Sequence, residues 1–138
     1  MAMSNTLKQI IYISSAEHPF TDLELSNMLA AIRKNNEQHN VTGMLLYKDG
    51  DFIQVIEGEE EVLEPLFKVI CKDHRHYSVV ELMRKTIPDR QFKNWSMGFH
   101  HINSDDPRLA EFNHFFDDTI NHQVDAGEAL NLLLVFRE

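Results

Sequence analysis

Two apolar stretches, residues 41–48 and 51–57, are joined by the dipeptide Asp49-Gly50. Asp-Gly between alternating apolar residues is the strongest short-range signal for a two-residue β-hairpin, because both turn positions need positive φ. A two-residue turn also sets the register, which places Leu45 opposite Gln54. The chain is therefore built around an antiparallel hairpin.

The second strand of this hairpin carries a glutamine where an apolar residue is expected. Side chains alternate along a strand, so Gln54 shares its face with Phe52 and Ile56. A buried amide without hydrogen-bond partners costs about 1–3 kcal/mol, so Gln54 needs a partner. Because its cross-strand neighbour Leu45 has an apolar side chain, that partner must come from outside the hairpin. Tyr12 and Trp95 are polar groups in equally apolar stretches. Either these groups bond one another, or a ligand with polar edges lies among them.

The remaining patterns predict the rest of the fold. Strands are expected at 7–14, 79–87 and 94–102, and helices at about 21–36 and 61–72. Thr21 and Glu24 form a capping-box pair at the start of the first helix. The order is that of an α+β, ferredoxin-like βαββαββ sheet with two helices over one face. Two C-terminal helices are predicted to follow, at about 107–120 and 130–136, covering the second face or forming a dimer contact.

The first helix has an apolar stripe that ends in two amides. Met28 and Ile32 continue the helical spacing, and Asn35 and Asn36 follow on the same face. A polar helix end near a turn and a polar binding edge explain this pattern equally well.

Composition excludes several classes of function. The formal charge is −9, with 22 acidic against 13 basic residues, which argues against nucleic acid binding. The single cysteine, Cys71, fits a reducing compartment, and neither a signal peptide nor a membrane span is visible. We therefore expect a cytoplasmic protein. The eight histidines lack the spacing of a closed zinc site, so no metal is predicted.

Several short motifs, taken together, resemble the BLUF family of flavin-binding blue-light photoreceptors. The resemblance covers residues 7–102 and rests on order and spacing, since no single motif is specific. The motifs are Tyr12, Asn35-Asn36, Val41-Thr42-Gly43-Met44-Leu45, Phe52-x-Gln54-x-x-Glu57-Gly58, Asp73-x-Arg75-His76 and Phe92-x-x-Trp95-Ser96-Met97.

The resemblance implies a role for each position that holds the flavin. Met28 and Ile70 match the aliphatic residues that sandwich the ring, and Asn36, with Asn35 beside it, matches the amide at the C4=O/N3 edge. Arg75 and His76 match the cationic pair near the pyrimidine end of the flavin, and Asp73 accompanies them towards the ribityl chain.

The resemblance also implies the photochemistry. Tyr12 matches the electron donor to the excited flavin, and Gln54 matches the amide that bridges the phenol and the ring. After the electron and proton return, a rotated or tautomerised Gln54 would bond C4=O more strongly and give a red-shifted state. Trp95 or Met97 on the fifth strand would then move and relay the signal.

The expected function is blue-light sensing through FAD, with FMN possible, and without catalytic activity. Residues 1–103 form the expected sensor domain, and 104–138 a helical extension of the same compact unit for output or dimerisation. Because 35 residues are too few for a cyclase or phosphodiesterase domain, output is expected through a separate partner protein or a homo-oligomer. The alternatives are a flavin-using enzyme and a light-independent ligand-binding regulator.

Overall fold

The computed structural model describes residues 6–73, 76–93, 96–102, 105–108, 110, 113 and 126–135. Within these residues the fold is α+β, with five strands and three helices. The strands are β1 (Leu7–Ala16), β2 (Thr42–Lys48), β3 (Asp51–Glu59), β4 (His76–Ile87) and β5 (Gly98–His101). The helices are α1 (Asp22–His39), α2 (Glu60–Cys71) and α3 (Ala126–Val135).

The strands form one sheet in the order β4-β1-β3-β2-β5. Every neighbouring pair is antiparallel except β2 and β5, which run parallel, so the sheet is mixed. The predicted hairpin register is confirmed, since Leu45 lies opposite Gln54. Its turn has φ of 48° at Asp49 and 92° at Gly50, the conformation for which this dipeptide is selected.

The two faces of the sheet carry different cores. Ile10 and Tyr12 of β1 pack with residues of α1 and α2 on one face. Ile11 packs on the opposite face, where Leu132 and Leu133 of α3 are buried. The alternation of side chains along each strand produces this division. The predicted βαββαββ order with two helices over one face is confirmed, and α3 covers the second face.

The first helix is longer than its apolar stripe. The predicted capping box is present, with the Thr21 hydroxyl and the Glu24 carboxylate each bonded to the other residue's backbone N–H. The helix ends at His39, and Asn40 takes the left-handed conformation with its N–H bonded to the Asn36 carbonyl. Asn36 therefore lies inside the helix and is buried, which rules out a frayed end as the reason for its amide.

The expected fifth strand, 94–102, was too long. The strand is limited to Gly98–His101, so Met97 lies just before it, and residues 94–95 lie outside the described part of the chain. The physical reason is that the carbonyl oxygens of Ser96 and Met97 accept hydrogen bonds from α1 side chains rather than from β2.

Of the two predicted tail helices, the second is confirmed as α3. Most of the segment predicted as the first tail helix lies outside the described residues, and within it the described residues Ala110 and Asn113 are helical.

In α2, Pro65 lies in the second turn. Proline has no backbone N–H, so the Glu61 carbonyl loses its usual helical hydrogen bond. Glu61 and Pro65 are both exposed, so water can bond this carbonyl instead.

None of the described helices is long and apolar enough to cross a membrane.

Candidate functional site

A cavity of about 110 Å³, measured as the space open to the centre of a water molecule, lies between α1, α2 and the face of the sheet that these helices cover. Its lining is mainly apolar with a few polar groups, as is usual for small-molecule sites. Nine residues predicted from the sequence line it together: Tyr12, Met28, Asn35, Asn36, Gln54, Ile70, Asp73, His76 and Met97. The other two, Arg75 and Trp95, lie outside the described residues.

A hydrogen-bonded chain of side chains forms the floor of the cavity. Tyr12 and Gln54 are directly opposite each other on β1 and β3, so both project towards the helices. The Tyr12 hydroxyl donates to Gln54 Oε1, and Gln54 Nε2 lies 3.4 Å from Met97 Sδ. All three residues are buried, at 2–5% exposure. The partner that Gln54 requires is thus a phenol from β1.

Aliphatic side chains from the two helices form the walls. Met28 and Ile32 come from α1, and Leu66 and Ile70 come from α2. These residues also pack on the core beneath the helices, which holds the walls in place. Opposed aliphatic walls suit an apolar ring system, since such a ring would remove apolar surface from water on both of its faces.

The amides of α1 lie at one end of the cavity. Asn36 is 3% exposed, and its Nδ2 donates to the Ser96 carbonyl oxygen at 2.6 Å. Its Oδ1 is an acceptor that remains suited to an N–H group of a ligand. Asn35 lines the cavity too but is exposed. Asn36 therefore bonds the Ser96 backbone and also brings a polar side chain to the cavity.

His76 and Asp73 lie near the end of α2. The His76 ring places Nε2 at 2.6 Å from the Ile70 carbonyl oxygen and Nδ1 at 2.8 Å from Ser14 Oγ. A carbonyl oxygen only accepts, so Nε2 carries a proton, and the ring is held between α2 and β1. The backbone N–H of Asp73 donates to the same carbonyl. This arrangement brings polar groups to a second part of the cavity rim.

Two structural contacts near the site were not predicted. Arg33 of α1 donates through Nε to the Met97 carbonyl oxygen at 2.9 Å. Its position three residues before Asn36, on the same side of the helix, is the signal that could have pointed to it.

The second contact involves Glu57, which is fully buried on the other face of the sheet. Its carboxylate accepts from Gln9 Nε2 and from the backbone N–H groups of Gln91 and Phe92, at 2.8–2.9 Å. An acidic residue within an apolar strand was the available signal, because a buried carboxylate requires donors. Glu57 thus holds the chain that leads from β4 towards Met97.

The site lacks the features of a thiol or metal centre in the described part of the chain. Cys71 is exposed at the end of α2, and desolvation together with the nearby Glu81 raises the pKa of its thiol. A raised pKa keeps the thiol protonated and poorly nucleophilic. No group of three or more metal-ligating side chains is found among the described residues.

The residues present fit a flavin. Apolar walls face each other across the cavity, amide groups lie at its edge, and a phenol lies beside an amide on its floor. Comparison with known families agrees with this geometry. Residues 7–98 match the family described as "BLUF: Sensors of blue-light using FAD". The chain belongs to the BLUF family.

Solved BLUF structures share the fold over nearly the whole chain. The structure of BlsA in its photo-activated state is 32% identical, with a TM-score of 0.76, and the match covers 94% of this chain and 95% of that one. The dark-state structure of the BLUF protein BlrB has a TM-score of 0.79 over 97% of this chain and 99% of that one, at 23% identity. The second likeness bears on the fold alone.

The curated relatives are much longer than this chain. The blue light- and temperature-regulated antirepressor BluF of Escherichia coli (strain K12) is 35% identical over 86 residues, which is 62% of this chain and 21% of that protein. The chain thus spans about a fifth of its length.

Proposed function

We propose that this chain senses blue light through Tyr12 and Gln54 and passes the signal to a separate partner protein. The observation that carries the proposal is the buried hydrogen bond from the Tyr12 hydroxyl to Gln54 Oε1 on the floor of the cavity. A primary amide carries an acceptor and a donor on opposite sides, so one side chain can face the phenol and a second group at once.

The proposed switch uses the residues of the cavity as follows. A bound flavin supplies blue-light absorption and, once excited, a strong oxidant. Tyr12 would donate an electron and its hydroxyl proton to the excited flavin and would then recover both. Gln54 would be left rotated or tautomerised and would donate more strongly to the ring, which would account for a red-shifted spectrum. An amide with two hydrogen-bonded arrangements is a bistable element of the kind that a switch requires.

The proposed binding residues follow the geometry of the cavity. Met28 and Ile70 would hold the ring between the helices, and Asn36 with Asn35 would bond its polar edge. Asp73 and His76 would lie near the pyrimidine end and the ribityl chain. Arg75 and Trp95, which the described residues do not include, keep the proposed roles of cofactor contact and signal relay.

We propose FAD as the cofactor, as the family description suggests. FMN stays the alternative, because a Klebsiella pneumoniae structure, "BlrP1 with FMN and cyclic diGMP, no metal ions", is 34% identical with a TM-score of 0.67. That match covers 78% of this chain and 29% of the other. Extraction of the bound cofactor, followed by chromatography and mass spectrometry, separates the two.

The proposed output is protein–protein interaction without catalysis by this chain. Residues 104–138 would serve as the helical extension that contacts a partner or a second copy, in the cytoplasm. Light scattering in the dark and under blue light would test the oligomer, and a pull-down under the same two conditions would test the partner.

The test of the proposed function compares variants of the flavin-loaded protein. Wild type should be yellow, and blue light should shift its absorption spectrum to the red. This shift should reverse in the dark. Tyr12→Phe and Gln54→Ala should bind flavin without forming the red-shifted state. Tyr47→Phe is the matched control, because Tyr47 is a buried phenol in the same core that bonds the Phe20 N–H.

The outcomes separate the proposed function from its alternatives. A normal red shift in Tyr12→Phe or Gln54→Ala would contradict the proposed switch. A yellow protein that turns over a redox substrate without any reversible shift would indicate a flavin-using enzyme. A colourless protein after reconstitution with FAD and with FMN would indicate a light-independent regulator.

A further inference from the structure

Met97 lies at a point where the sheet does not hold the chain. The first residue of β5 paired with β2 is Gly98, which lies opposite Met44. Met97 and Ser96 therefore precede the strand, yet Met97 is only 2% exposed and its Sδ faces Gln54 Nε2 at 3.4 Å. Something other than strand pairing must fix the position of that sulfur.

Two side chains of α1 supply the missing contacts. Arg33 Nε donates to the Met97 carbonyl oxygen at 2.9 Å, and Asn36 Nδ2 donates to the Ser96 carbonyl oxygen at 2.6 Å. Residues three apart lie on the same face of a helix, so the two donors reach consecutive carbonyl groups. The α1 helix thus binds the backbone of this segment in place of a neighbouring strand.

The two donors differ in their relation to the cavity. Asn36 lines it, whereas Arg33 is exposed and is not among the residues of its lining. Arg33 instead contacts the segment beside the cavity, through its hydrogen bond to the Met97 carbonyl oxygen.

The position of the Met97 sulfur bears on the orientation of Gln54. With Oε1 accepting from Tyr12, Nε2 points towards Met97 Sδ. A thioether is a weak acceptor on a side chain with three rotatable bonds, so it bonds the amide only if its backbone is held. A displaced Met97 would take away one of the two contacts that favour this orientation of the amide.

We propose that Arg33 is a positioning residue for the switch. By holding the Met97 carbonyl oxygen, it keeps Sδ against Gln54 Nε2 and so stabilises the dark orientation of the amide relative to the lit one. This inference rests on the proposed function. It gives the outer surface of α1 control over the lifetime of the lit state.

The test measures the dark recovery of the full, flavin-loaded chain after blue light. Arg33→Met removes the donor but keeps an unbranched side chain, and we expect recovery to slow by roughly three- to tenfold, the effect of losing one net hydrogen bond. Arg33→Lys should restore part of the wild-type rate, because lysine keeps a cationic donor. Lys34→Met removes a neighbouring exposed cation from the same helix and should recover like wild type.

A double-variant comparison separates positioning from a general loss of structure. In a Met97→Ala background, Arg33→Met should have little further effect on recovery, because the sulfur that it positions is gone. Circular dichroism and flavin content should match wild type in the single variants.

Three results would overturn the inference. The first is recovery in Arg33→Met that is unchanged or faster than in wild type. The second is an equal change in Lys34→Met, and the third is an undiminished effect of Arg33→Met in the Met97→Ala background. If wild type itself shows no light-induced shift, the proposed function fails and this inference fails with it. A normal wild-type shift with an unchanged Arg33→Met removes only the role of Arg33.

Discussion

The buried carboxylate of Glu57 offers a sharp test of how the chain between β4 and β5 is held. It accepts three hydrogen bonds, from Gln9 Nε2, Gln91 N and Phe92 N, and is fully buried. A hydrogen bond to a charged group contributes about 1.5–3 kcal/mol, so removing the acceptor of all three affects about 5–9 kcal/mol of gross interaction. Burial of the carboxylate offsets part of this, and we expect Glu57→Ala to lower the free energy of unfolding by about 3–5 kcal/mol.

A more conservative variant separates hydrogen bonding from the loss of volume. Glu57→Gln keeps the shape, but its amide nitrogen must face a donor, so we expect a loss of about 1–3 kcal/mol. The assay is urea unfolding of the flavin-saturated protein, followed by far-UV circular dichroism. Glu17→Gln, which alters an exposed carboxylate, should stay within about 0.5 kcal/mol of wild type. A Glu57→Gln variant as stable as Glu17→Gln would refute the reasoning.

Two further predictions concern the strands and the first helix. A Cβ at Gly43 would lie 2.0 Å from the Val55 carbonyl oxygen, so Gly43→Ala should lower the free energy of unfolding in urea by about 3 kcal/mol or more. Gly58→Ala is the control and should be tolerated, because a Cβ there would lie no closer than 3.5 Å to its neighbours. Hydrogen bonds from Thr21 lower the pKa of Glu24 below its ordinary 4.5, so its contribution to stability is present above pH 4.5 and is lost as the pH falls through the lowered value. Glutamine can keep the capping hydrogen bond but carries no charge, so the difference in melting temperature between wild type and Glu24→Gln should be larger at neutral pH than in acid. An equal difference at both would contradict the contribution of the ionised carboxylate.

Local patterns predicted most of the fold because they act over a few residues. The Asp49-Gly50 turn predicted the hairpin and its register, and Thr21 with Glu24 predicted the helix start. The fifth strand was predicted too long, because whether a segment pairs with a strand or with a helix side chain depends on what lies beside it in space.

The candidate site divides in the same way. The position of Gln54 between apolar neighbours indicated that it needs a polar partner, and the resemblance to BLUF proteins indicated Tyr12. Only the pairing of β1 with β3 brings the phenol to the amide. The roles of Arg33 and Glu57 were not predicted, because their partners lie 64 and 34–48 positions away along the chain.

What the sequence determined by itself was the set of elements, the hairpin register and the need for a buried polar partner, because alternation, turn chemistry and capping are local. What tertiary structure decided was which groups meet in the cavity. Hydrogen bonds act over about 3 Å in space with no regard to separation along the chain, so contacts between distant residues follow from the packing of the sheet and its helices.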